Sequence, residues 1–354
     1  MSDYDYGNAR LHAMKSRLLS GDELERLITV SNMQGVISAL TKTAYQKSIE
    51  AALTRASGME CVEDALRVDL GNTVGKILSF YSGDAQRMVA IVLRSYDIHN
   101  LKAILRGLSK NVPAGDILRT LLPIGELKFS LLRELALLRN PRDVIDTLAS
   151  MGQPIAQPLV AVRTERPGAQ LFELELALEQ WHYQALQNEE KLDGLLSTAL
   201  DLEIDIANVL TVLRFARYPS ERKTLQEYFG DQPENCMFIG PGQIKFQTLT
   251  EACHTDNVAG AVEKLVHTTL DPALQTGLAR YKESQRLSDI EKELKTYQLR
   301  WLAKQIIKDP LGIGVVLGYV AIKVNEVGNL RWIAHGIDLG LDPKLIRGEL
   351  AVVL

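Results

Sequence analysis

Cysteine is scarce in this chain, with three residues in 354. Cys61, Cys236 and Cys253 lie far apart and are odd in number. They supply neither a disulfide framework nor the paired spacing of a zinc site, and they fit reduced thiols in a cytosolic protein. A basic excess is missing too: 40 Lys and Arg stand against 44 Asp and Glu, for a net charge of -4. That balance, with no Lys/Arg run above background, argues against a nucleic-acid binder. The longest uncharged apolar run, Pro310 to Ile322, falls short of the roughly 20 residues that span a bilayer and reads as a buried helix. The N-terminal stretch carries acids near its start and no apolar core, so it does not read as a signal peptide.

Strand signals are nearly absent as well. Most of the chain is rich in Leu, Ala, Glu, Lys, Arg and Gln at helical spacing, with Pro or Gly at the joins, and the expected fold class is all-α. Residues 173–187 and 191–217, for instance, read as two helices joined by a short polar turn. At 354 residues and 46% hydrophobic composition there is material for several packed cores.

Catalytic and cofactor motifs are also wanting. GNTVGKI at Gly71 to Ile77 has three residues between its glycines and Ile after Lys76. A phosphate loop needs four, and a hydroxyl to reach magnesium. GIGVVLG at Gly312 to Gly318 lacks the third glycine of a dinucleotide fingerprint. The six histidines form no HExxH and no pairing with cysteine. No serine stands in a G-x-S-x-G setting and no paired-aspartate motif appears. The expectation is of no catalytic residue, cofactor, metal, nucleic acid or small-molecule substrate.

What the chain does have is repetition. SYDIHNLKAILRG at Ser95 to Gly107 is echoed by EIDIANVLTVLRF at Glu203 to Phe215 and by NEVGNLRWIAHG at Asn325 to Gly336. Aligned on Asn100, Asn208 and Asn329, each copy has an acid three residues before (Asp97, Asp205, Glu326). Each has a basic residue six after (Arg106, Arg214, His335). Apolar positions recur at i, i+3, i+6 and i+7, one broad helix face. GELKFSLLREL at Gly125 to Leu135 likewise resembles GQIKFQTLTEA at Gly242 to Ala252. Each is followed by a short helical segment, with a counterpart at Ser31 to Tyr45. Pro113 and Pro343 then occupy expected first helical positions, with Pro219 a looser match. These features divide the chain into three similar tandem helical domains, 1–122, 123–238 and 239–354. The turn-rich Gly230 to Gly242 marks the second join, and a pseudo-threefold arrangement is the expectation.

Two readings stand for the repeated polar positions. Three acids facing one axis would make a metal site. Alternatively the acid and Asn, three apart on one helix side, bond to neighbouring backbone or to a basic residue, which is the favoured reading. Arg106, Arg214 and His335 would line an interaction wall or act as local caps and ion-pair residues, with the local role preferred.

Three stretches together resemble a known family: YDYGNARLHAMKSRLL at the start, YDIHNLKAILRG, and GIGVVLGYVAIKVNEVGNLRWIAHGIDLGLDPKLIRGEL at the end. The resemblance is to the C subunit of archaeal and bacterial V-type (A-type) ATPase/synthases, relatives of the eukaryotic V-ATPase d subunit. It covers the whole chain and is most specific at Tyr319, Glu326, Asn329, Leu330, Arg331 and Gly336. The middle unit departs most, with Val209 for Leu and no Tyr before the acid. The resemblance implies a non-catalytic rotor part, three helical domains forming a funnel-like socket on the cytoplasmic side of the membrane. Its implied partners are the central-stalk D and F subunits and the proteolipid rotor ring. From another class, an all-α scaffold for an unrelated partner shares the same composition and differs only in these motifs.

Overall fold

The helix-forming composition and the capping residues produce helices from end to end. The structure, a computed structural model, describes residues 4–352 apart from 188, 190, 231 and 232. Two of those, Asp231 and Gln232, belong to the turn-rich join expected at 230–242 and lie outside the described residues. Among the described residues there is no strand.

An opening helix α1 (Asp5–Lys15) leads into α2 (Gly21–Ile28), α3 (Met33–Leu40), α4 (Gln46–Leu53), α5 (Gly58–Val74), α6 (Gly83–Ser109) and α7 (Ala114–Thr120). Then come α8 (Phe129–Ala136), α9 (Pro141–Ser150), α10 (Gln157–Glu165), α11 (Leu171–Gln187), α12 (Gly194–Arg217) and α13 (Pro219–Phe229). A short α14 (Glu234–Met237) precedes α15 (Phe246–Cys253), α16 (Val258–Lys264), α17 (Asp271–Ser284), α18 (Leu287–Lys308), α19 (Gly314–Asp338) and α20 (Pro343–Glu349).

Local chemistry sets many of these starts. Asn32, Asn140 and Asn257 stand in extended backbone before α3, α9 and α16, and each side-chain oxygen accepts the amide three residues on. Ser20 and Glu23 form a capping box on α2. Pro343 opens α20 at its first turn as expected, whereas Pro113 stands one residue ahead of α7 as its N-cap.

The three long repeated helices α6, α12 and α19 carry apolar side chains on most of their circumference, as buried helices do. In α19 the run from Gly314 to Val320 is buried without a break, so Pro310 to Ile322 supplies a core helix. No helix among the described residues is long and apolar enough to cross a membrane.

By packing, the described residues divide into two compact units, one running to Leu178 and resuming at Ala303, the other Glu179–Leu302. The boundaries fall inside α11 and α18. In the first unit α19 packs on α1, α2, α3, α5 and α20, and α6 packs on α7, α8 and α9. In the second, α12 packs on α13, α14, α15 and α16. Its core joins Ile206, Val209, Val212 and Leu213 of α12 to Leu249, Val258, Val262, Leu274 and Ile290. Each such side chain contributes roughly 1.5–3 kcal/mol on burial.

Each repeated helix therefore lies against two short helices: α8 and α9 for α6, α15 and α16 for α12, and α2 and α3 for α19. For α19 those neighbours come from the other end of the chain.

Candidate functional site

The acid and the Asn of each repeated helix project from one side of it, three residues apart, and both are buried. On α6, Asp97 accepts the Glu126 amide at 2.7 Å through one oxygen and the Leu127 amide at 3.1 Å through the other. Asn100 accepts the Leu122 amide at 2.7 Å and donates back to the Leu122 carbonyl at 2.8 Å. Two side chains thus satisfy the backbone of the link from Leu122 to Leu127, which feeds α8. Gly125 is required by that grip: a Cβ there would stand 2.0 Å from an Asp97 oxygen.

Helix α12 repeats the device. Asp205 accepts the Gln243 and Ile244 amides, each at 3.1 Å. Asn208 accepts the Ile239 amide at 3.0 Å and donates to the Gly240 carbonyl at 2.9 Å. At Gly242 a Cβ would come within 2.1 Å of Asp205. The recurring Gly of GELKF and GQIKF is thus explained by the carboxylate that approaches it.

On α19 the same pair holds the two ends of the described chain. Asn329 exchanges both bonds with Ala351, at 2.9 and 3.2 Å, just as Asn100 does with Leu122, and in both cases the reach is 22 positions. Glu326, in turn, accepts the Leu19 amide across 307 positions. Leu19 leads into α2 as Leu127 leads toward α8. Arg17 occupies the place of the glycine, and the acid is one methylene longer.

Glu326 is further held in a buried network that the other two lack. Its second oxygen accepts the Tyr45 hydroxyl at 2.6 Å and the Lys323 ammonium at 3.1 Å. Lys323 also donates to Tyr45 at 2.8 Å and pairs with Asp69 at 2.9 Å. Burial, and then the charges of Glu326 and Asp69, push the Tyr45 hydroxyl well above its usual range. It stays a neutral donor.

The basic positions resolve into ion pairs where partners are seen. Arg106 grips Glu175 of α11 with both ends of its guanidinium, at 2.5 and 2.7 Å. His335 and Arg331 share the buried Glu63 of α5, at 2.9 and 3.2 Å. Burial lowers the Arg331 guanidinium from its ordinary value, against the pull of Glu63. Arg214 is exposed on α12.

The opening motif docks α1. Asn8 donates to the carbonyls of Pro310 and Gly312 and accepts from the Tyr81 hydroxyl. Arg10 bonds the exposed Tyr6 at 2.7 Å and lies 4.2 Å over the Phe80 ring.

Asp97 and Asp205 are each pushed up to about 6, chiefly by burial, with their two backbone amides pulling the other way. Asp97 and Asp205 spend both oxygens on backbone amides of their own surroundings, and Glu326 spends one, its other oxygen going to Tyr45 and Lys323. Among the described residues no group of three His, Cys, Asp or Glu is placed to hold a metal ion. What this arrangement does chemically is fasten chain segments.

Tyr45, Glu63, Asp69, Glu175 and Lys323 take part without having been singled out in the sequence. Lys323 had one signal, its position three residues before Glu326. Glu63 and Asp69 lie in an ordinary amphipathic run and had none.

The family described as ATP synthase (C/AC39) subunit matches residues 7–349. The C subunit of the A-type ATP synthase from Methanosarcina acetivorans is 28% identical, aligned over 99% of this chain and 94% of the relative. Its namesake from Methanosarcina barkeri is 25% identical over 99% and 94%. The C subunit of the V-type ATP synthase from Deinococcus radiodurans is 26% identical over 98% and 91%.

Proposed function

The chain belongs to the ATP synthase (C/AC39) subunit family, and on that premise we propose that it is the non-catalytic socket joining the central shaft of a rotary ATP synthase to its membrane rotor ring. Its partners in this reading are the central-stalk D and F subunits on one side and the proteolipid ring on the other. It sits peripherally on the cytoplasmic face, and the three sequence units 1–122, 123–238 and 239–354 are its three walls. The observation that carries the reading is the match over nearly the whole chain, with relatives named as the C subunit of A-type and V-type ATP synthases.

The physical demands of that role fit the molecule. A part that passes torque must not let its segments slide. Here the links are held by side chains that satisfy two backbone groups at a time, rather than by surface contacts alone. Close-packed helices add stiffness. Because the family is defined by complex membership, ATP synthesis and ion movement belong to the assembly and not to any group on this chain.

The test is a binding titration of the purified chain against the purified D and F pair of the same source, at two salt concentrations. A one-to-one complex that weakens with salt is the expected result. A folded helical protein that binds neither that pair nor the isolated ring would sink the reading.

A further inference from the structure

Twice in the first unit, the chain after a repeated helix turns back and seats an isoleucine in a glycine notch. Ile117 of α7 sits at Gly107 and Ile346 of α20 at Gly336. A Cβ on either glycine would stand 2.5 or 2.6 Å from the isoleucine, and both isoleucines are buried. The turn passes through a left-handed residue eleven positions after the repeated Asn: Asn111 with φ 54° and Gly340 with φ 65°.

The second unit can make neither feature. Counted from Asn208, Pro219 holds the position of Asn111 and Gly340, and its ring locks φ at about -65°. Phe215, buried in the core, stands where the others have glycine. Only Tyr218 separates α12 from α13. Leu225 holds the position of the two seated isoleucines, yet it is only partly buried against the core, and no residue of α13 is buried. Arg222 of α13 reaches the fully buried Glu234 of α14 at 3.3 and 3.4 Å, longer than the roughly 2.7–2.9 Å of a tight charge-assisted bond. Glu234 also meets His254 at 2.8 Å, so it keeps a partner without Arg222. Gln226 and Phe229 have contacts too, but neither is buried.

We infer that α13 is a strap that lifts from the second unit while the rest of that unit stays folded, with Arg222 as its clasp. Segments that open by themselves are those with few buried apolar contacts. A helix of 11 residues is marginal in water once undocked, so lifting and melting coincide. Lifting uncovers the Glu234 carboxylate and, beside it, the thiol of Cys253, which lies close enough to feel the charges of Glu234 and Arg222. Both are closed off while the strap is down. Helices α7 and α20, each pinned by its isoleucine, have no such freedom. The inference does not depend on the rotary-complex reading.

Amide hydrogen exchange of the whole chain, followed by mass spectrometry, reads the opening. Hydrogen-bonded amides of α13 should exchange about tenfold or more faster than those of α7 and α20, at a rate unchanged by about 1 M urea, while α12 and α15 stay protected. Arg222→Ala should quicken α13 further without touching α12, and Arg222→Lys, which keeps the charge, should fall between it and wild type. Alkylation gives a second readout. In a Cys236→Ser protein, which lacks the exposed thiol, iodoacetamide should modify Cys253 faster than Cys61, buried in the first unit. Adding Arg222→Ala should quicken Cys253 alone. Protection of α13 equal to that of α7 and α20, exchange of α13 only together with α12, no response to Arg222→Ala, or a Cys253 as inert as Cys61 overturns the inference.

Discussion

The Glu326 carboxylate accepts the backbone amide of Leu19, joining the last long helix to the entry of α2 across 307 positions of sequence. Asp97 does the same for Leu127 and Asp205 for Ile244, but over spans of 30 and 39 positions. One device therefore serves both to fasten a link within the chain and to tie its first segment to its last long helix.

Lys323 lies between Glu326 and Asp69, so replacing it by Met leaves two carboxylates in the interior without their cation. Breaking such a buried pair costs roughly 3–5 kcal/mol. Adding Glu326→Gln should restore part of that loss, because the amide oxygen still accepts while one charge is gone. Urea unfolding of the singles and the double measures the coupling. A Lys323→Met variant within about 1 kcal/mol of wild type would show that the network is not holding the closure.

Much of this arrangement was legible in the sequence. The three repeated helices, the acid and Asn on one side of each, and the preference for bonding to neighbouring backbone all follow from spacing and residue chemistry. The caps at Asn32, Asn140 and Asn257 also fall where the segments after each repeat predict short helices. Which backbone each acid holds was not legible, because a hydrogen bond spanning 307 positions leaves no local pattern. Nor was the place of Tyr45, Asp69 and Lys323, which only packing brings together. The compact units, with one boundary near Leu178 and the other near Ala303, depend on which helices pack together, and periodicity does not encode that.

Asp97→Asn tests the acceptor role directly. The amide keeps one acceptor and turns an NH2 group toward a backbone N–H, leaving a buried donor unmatched at about 1–3 kcal/mol. Hydrogen exchange at Leu127 and Glu126 should quicken while amides within α12 keep their protection. Equal acceleration throughout would mean global loosening instead.

The same carboxyl predicts a pH dependence. Its folded-state value of about 6 lies above the ordinary 3.8, chiefly because of burial. The folded protein therefore holds this proton more tightly than the unfolded chain does. The stability it contributes is fully present below about pH 4 and is lost as pH rises through 6. The deficit of Asp97→Asn relative to wild type should then be larger at pH 5 than at pH 7.5, measured by urea unfolding. The opposite ordering would show that the two backbone amides outweigh burial.

Gly125→Ala and Gly242→Ala should each destabilise more than a helix-surface Gly→Ala change, for which alanine is favoured by about 1 kcal/mol. Cβ atoms would stand 2.0 and 2.1 Å from the Asp97 and Asp205 oxygens, so the carboxylate must withdraw and release its amides. Gly115, in α7 with nothing near its Cβ position, serves as the control. A thermal melt in which all three variants behave alike would remove the close approach as the reason for glycine.

The basic position separates surface from interior. Arg106 is half exposed where it meets Glu175, so Arg106→Ala should change stability by no more than about 1 kcal/mol despite its two-pronged bond. Arg331 is mostly buried against Glu63, which is itself 6% exposed. Removing that guanidinium strands a buried carboxylate and should cost several kcal/mol. Unfolding curves for the two variants decide the matter. Equal costs for Arg106→Ala and Arg331→Ala would mean that burial does not set the worth of these pairs.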